Sequence, residues 1–212
     1  MNAIRRQILR AATALAAFIV VPSVQAGGGP FGIDHRLTYE DSGIWARSNQ
    51  NALLGLMIAG ELGGALWEGG EDRLGHTLWQ SIDASLIGGV SEEVLKRIFT
   101  RERPSTTADP NRWFAGGGNA SFPSGEVTVA SAIVTPLVLE YGREHPAAYA
   151  LELLPVYDAI GRMKVRGHWQ SDVIAGFALG SAVGYYVHQR TGTPFVLGAM
   201  PHGIYVGLKK SW

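Results

Sequence analysis

Leu78 to Phe99 reads LWQSIDASLIGGVSEEVLKRIF, and its spacing decides the fold class. Leu78, Ile82, Leu86, Val90, Val94 and Ile98 recur at every fourth position, which a helix presents as one apolar stripe. Glu92–Lys96 and Glu93–Arg97 are opposite charges four residues apart on the polar side. Upstream, Asn49 to Trp67 carries Leu53, Leu56, Met57, Gly60 and Gly64 on helical spacing, and Glu68-Gly69-Gly70 stops it. Downstream, Thr100 to Phe122 is dense in Pro, Gly, Asn, Ser and Thr and reads as loop. A third helix is expected from an N-cap at Ser124 to Gly142. A fourth is expected from Pro146 to Met163, kinked at Pro155, and a fifth from Ser171 to Gln189. Ile204–Leu208 is strand-like, and no internal repeat is present. The expected class is all-α, a single helical bundle.

The 212 residues favour one domain, and 46% hydrophobic with 17% charged suffices for a packed core. Lys plus Arg equals Asp plus Glu at 18 each, so no basic surplus exists for a nucleic-acid backbone. With no cysteine, disulfides, thiol nucleophiles and Cys-ligated metals are excluded together. Residues 1–26 have the pattern of a signal peptide: Arg5, Arg6 and Arg10, an apolar run from Ala11 to Val21, then Val24-Gln25-Ala26. Cleavage after Ala26 is expected, giving export, a periplasmic location and a mature domain of 27–212. Ser48–Gly60 and Val127–Leu139 are uncharged runs of 13 residues and Val173–Gln189 is one of 17, short of a spanning helix. Gly176, Gly180 and Gly184 repeat every four residues and suit close helix packing. A soluble chain, or one in peripheral contact with a membrane, is expected.

Three short patterns sit at the helix ends. They are Lys96-x6-Arg103-Pro104, then Ser121-Phe122-Pro123-Ser124-Gly125-Glu126, then Gly161-Arg162-x5-His168-x3-Asp172. A transferring phosphoryl group spreads negative charge over its oxygens and needs fixed cations and N–H donors around it. Lys96, Arg103 and Arg162 supply cations, and each Arg offers a planar fork. Ser124 and Gly125 open a helix, whose free N–H groups and dipole point at an anion. Taken singly, Lys96 reads equally as a surface partner of Glu92, and Arg162 as a cation at a helix C-terminus. Together they describe a phosphate site.

In order and placement the three patterns resemble the signature of the type 2 phosphatidic acid phosphatase superfamily, across roughly Leu78 to Gly184. That superfamily includes bacterial class A acid phosphatases, lipid phosphate phosphatases and vanadium haloperoxidases. The resemblance implies that His168 is the nucleophile and forms a phosphohistidine, with Asp172, four residues on, accepting the hydrogen bond of the ring N–H and supporting its charge. The second pattern of the superfamily ends in His, which protonates the leaving oxygen. Here the position holds Glu126, which can do the same if its pKa is raised. A bound phosphate pushes it up and the three cations push it down. His35, His145 and His188 read as surface residues.

The expectation is thus an exported phosphatase for a phosphorylated small molecule or a lipid phosphate, needing no cofactor and no metal. Two alternatives are a phosphate- or phospholipid-binding protein impaired by Glu126, and a vanadate-dependent haloperoxidase-like enzyme.

Overall fold

The computed structural model describes residues 27–190, 197–200 and 203–206; the expected signal peptide lies outside them. Five α-helices form a bundle: α1 (Arg47–Glu68), α2 (Arg73–Phe99), α3 (Gly125–Tyr141), α4 (Leu153–Lys164) and α5 (Gln170–Gln189). A short antiparallel hairpin follows, β1 (Leu197–Met200) with β2 (Gly203–Val206), so the expected strand-like stretch is described only as far as Val206. The class is all-α, as expected. Among the described residues no helix is long and apolar enough to cross a membrane.

Local chemistry sets the helix ends. Asp72 caps α2 by accepting from the Gly75 N–H at 2.6 Å, which moves its start five residues before Leu78. Gly69 ends α1 at a φ of 76°. The fourth helix is not one kinked rod. A 3₁₀ stretch, Pro146–Glu152, hands over to α4 at Leu153, and Pro155 falls in the first turn, where its missing N–H removes no helical bond.

The stripe on α2 is used only at its start. Ile82 packs with Ala65, Trp79 and Leu78 against α1, whereas Leu86, Val90, Val94 and Ile98 are exposed. The physical reason is that α2 meets α3 through small residues instead: a Cβ at Gly88 would touch Thr128 and Ala132 at 3.4 and 3.5 Å. The α3–α5 seam is tighter still. Cβ atoms at Gly176, Gly180 and Gly184 would lie 2.5 Å from the Ser124 carbonyl oxygen, 2.2 Å from that of Thr128 and 2.7 Å from Thr135. Under this seam, Val127, Ala159, Val173 and Phe177 form a core cluster joining α3, α4 and α5. The ends of those three helices carry the site.

Candidate active site

His168 lies in the loop between α4 and α5 and is 3% exposed. Its Nδ1 is 2.7 Å from the Ser121 carbonyl oxygen. A carbonyl only accepts, so Nδ1 carries the proton and Nε2 keeps its lone pair. Arg103 Nη1 sits 3.2 Å from Nε2 and also donates to the Gly167 carbonyl at 2.9 Å. The Arg103 fork is held by the Asn119 side chain at 2.7 Å and the Ala120 carbonyl at 3.0 Å. Burial lowers the His168 ring to about 4, against the opposing pull of the Asp172 carboxylate. The ring is therefore neutral at ordinary pH.

Asp172 does not take the hydrogen bond expected of it. Its Oδ2 is 3.8 Å from His168 Nδ1 and accepts instead from the Trp169 N–H at 2.8 Å. Its Oδ1 accepts from Arg101 at 2.6 Å. The reason is helical: Asp172 is in the first turn of α5, where the free Trp169 amide competes for the carboxylate. Burial pushes this carboxyl up, but His168, Arg101 and the Trp169 amide outweigh it and hold it below its usual range. Asp172 thus acts on His168 through charge, and the Ser121 carbonyl orients the ring.

The N-terminus of α3 faces the same place. Ser124 stands at the N-cap position, where its N–H donates to the Asp172 carbonyl at 3.0 Å and its hydroxyl makes no cap. Glu92 lies against Gly125: an added Cβ there would fall 2.5 Å from Glu92 Oε1. Lys96 pairs with Glu92 at 2.7 Å, so the expected cation reaches this helix end joined to a carboxylate. Arg162 is buried, 3.6 Å from Glu126, and packed so closely on Gly167 that a Cβ there would fall 2.6 Å from its Nη2.

Glu126 is forked by a residue with no place in the three patterns. Arg47, at the start of α1, donates through Nη1 and Nη2 to the two carboxylate oxygens at 2.5 Å each. Burial pushes the Glu126 carboxyl up, yet Arg47 and Arg162 overcome it and hold it below its usual range. In the free protein Glu126 is a carboxylate.

Behind this pair lies Asp158 on α4, 2% exposed, neither of whose oxygens has a hydrogen-bond partner among the described residues. Burial, reinforced by Glu126, lifts its carboxyl from 3.8 to about 7. The folded state therefore holds this proton more tightly than the unfolded chain, and stability falls as pH rises through that interval. Asp158→Asn is expected to be more stable than wild type by about 2 to 4 kcal/mol at pH 8, with the gain vanishing towards pH 4. Denaturant unfolding at the two pH values checks this; an equal difference at both would refute it.

The structure thus gathers Arg103, Glu126, Arg162, His168 and Asp172 around one helix junction, with Ser124 and Gly125 at its edge. It adds Arg47 and Arg101, which the motif spacing did not single out. Among the described residues no cluster of three His, Asp or Glu could hold a metal ion.

A family model described as the PAP2 superfamily matches residues 78–194, which include every site residue above except Arg47. The lipid A 1-phosphatase of Porphyromonas gingivalis is 31% identical over 138 residues, covering 64% of this chain and 28% of that protein. The match thus takes in little more than a quarter of that relative's length. No solved structure matches the chain.

Proposed function

Because the chain belongs to the PAP2 superfamily, we propose that it is an exported phosphatase that hydrolyses phosphate monoesters or lipid phosphates through a phosphohistidine. The observation that carries this reading is the His168 ring itself, with Nδ1 engaged by Ser121 and the unprotonated Nε2 facing Arg103 Nη1 at 3.2 Å. The phosphoryl oxygens lie against Arg103, Arg162 and the α3 N-terminus. Nε2 attacks phosphorus in line, the bond to the leaving oxygen breaks, and the ring becomes a charged phosphoimidazolium supported by the nearby Asp172 charge. Water then attacks phosphorus, releases inorganic phosphate and returns His168. A lipid-borne ester is the preferred substrate class, on the strength of the similarity to the lipid A 1-phosphatase.

Glu126 is the point of tension. Bound phosphate competes with it for Arg162 and raises its proton affinity, and only then can it protonate the leaving oxygen. Glu126→Gln is expected to slow alkyl phosphates about 100-fold and leave nitrophenyl phosphate within about threefold, since that leaving group needs little protonation. Equal losses on both would reject the acid role. The Arg47 fork favours a second reading, a phosphate- or phospholipid-binding protein without turnover. Purified protein without added metal, assayed on nitrophenyl phosphate beside a lipid phosphate panel, separates the two. The second reading predicts no hydrolysis by wild type, and hydrolysis created by Glu126→His.

A further inference from the structure

Arg101 is the fifth of the six residues between Lys96 and Arg103 that the first pattern leaves unspecified, yet its side chain is fully buried between two carboxylates. Nη1 donates to Asp172 Oδ1 at 2.6 Å and to Ser171 Oγ at 2.8 Å, and Nη2 donates to Asp34 Oδ2 at 2.6 Å. The guanidinium also lies 4.2 Å from the Trp113 ring centroid and donates to the Pro110 carbonyl. A charge so enclosed is held only where its partners satisfy it completely.

Asp34 belongs to the arm before α1, and that arm runs antiparallel to the loop carrying His168. Asp34 accepts from the Ser171 N–H and hydroxyl, both at 2.7 Å. The His35 peptide exchanges two bonds with the Gln170 side chain, each 3.0 Å. The Leu37 carbonyl accepts from Arg166 at 3.2 Å, and the Glu40 N–H donates to the Lys164 carbonyl at 3.1 Å. His35, expected at the surface, is therefore part-buried in this clasp. The arm is folded back on itself by paired bonds between Gly28 and Asp34, with Gly29 at a φ of 69°. An added Cβ at Gly29 would fall 2.1 Å from Asp34 Oδ2.

We propose that Asp34 and Arg101 are positioning residues of the phosphatase site: the arm clasps the His168 loop, and Asp34 fixes Arg101, which fixes the Asp172 carboxylate beside the ring. This rests on His168 being the nucleophile. The charges that face His168 directly are Arg103 from the loop after α2, Glu126 from α3, Arg162 from α4 and Asp172 from α5. Arg101 and Asp34 act one step behind, and their charge reaches the ring through Asp172.

The dependence on Asp172 is what a double-mutant cycle reads. Asp34→Asn, which keeps the shape, is expected to lower kcat about 10- to 100-fold with KM within about twofold, as for a small misplacement of a reacting group. Ser171→Ala, a milder change that removes one hydroxyl from both Asp34 and Arg101, is expected to lower kcat about threefold. In an Asp172→Asn background the Asp34→Asn loss should disappear. Losses that multiply in the double variant, or a folded Asp34→Asn protein with wild-type kcat, would overturn the assignment. The ring ¹⁵N resonances of His168 give the same cycle without substrate. Wild type should show the Nδ1–H tautomer that the Ser121 carbonyl fixes, and Asp34→Asn and Asp172→Asn should each shift the Nδ1 resonance as the nearby charge moves or is lost. The double variant should shift no further than Asp172→Asn. A wild-type Nδ1 resonance in Asp34→Asn would overturn the assignment even if wild type turned over no ester, an outcome that bears on the phosphatase reading instead.

Discussion

His168→Ala is expected to lower kcat/KM by about 10⁴-fold or more and to abolish the covalent intermediate, because it removes the Nε2 that faces Arg103 at 3.2 Å. Wild type denatured after brief exposure to labelled substrate should carry an acid-labile phosphoryl group that the variant lacks. Equal labelling of both would remove His168 from the mechanism. The pH profile offers a second check. Burial holds the ring near 4, and the attacking form is neutral, so the acid limb due to His168 lies near pH 4 rather than near 6.5. A bound phosphate anion raises the ring's proton affinity and moves the limb of kcat above that of kcat/KM.

Arg103→Ala is the second large effect. The guanidinium donates to the Gly167 and Ala120 carbonyls while facing Nε2, so it aligns the nucleophile and meets the charge of the phosphoryl group. Its loss is expected to cost about 10²- to 10³-fold in kcat/KM, about 3 to 4 kcal/mol, the range for one oriented donor to a transition-state oxyanion. Vanadate should inhibit wild type and lose affinity in the variant. Arg103→Lys keeps the charge and loses the fork, and should recover only part of the loss. Near-normal kcat/KM and vanadate sensitivity in Arg103→Ala would make the residue structural.

How far these features were legible depended on the range of the interaction that fixes each one. Two helix ends set by local chemistry came through, since Gly69 and the N-cap position at Ser124 act within a turn, whereas the Asp72 cap that starts α2 was missed. The three patterns were legible because each joins one or two helix ends to a short loop. The apolar stripe of α2 misled beyond Ile82. Periodicity announces a helix and one apolar side, but α2 packs on α3 through its small residues, which carry little hydropathic signal. Arg47 escaped notice because its partner Glu126 is 79 residues away. Asp34 escaped because it sits in an arm without period, bonded to Ser171 across 137 residues. Arg101 was readable only as filler between Lys96 and Arg103. A strong charge at a fixed spacing invites a functional reading, whereas a charge used internally has no spacing to betray it. The spacing set Asp172 beside His168 but did not reveal which donor its carboxylate takes, because helix-end amides compete for a carboxylate in the first turn.

The glycine seam between α3 and α5 bears on how the protein comes apart. One end of that seam is the Ser124 amide bonded to the Asp172 carbonyl, so the N-terminal ends of the two helices share a backbone hydrogen bond. Helices meshed this closely cannot fray apart one at a time: loosening either leaves the other's backbone without contact from Gly176 to Gly184, about two turns. The junction is therefore expected to open with the last cooperative unit, its amides among the slowest to exchange. What softness the molecule has is left to the segments that approach the junction from outside, where a substrate must enter and leave.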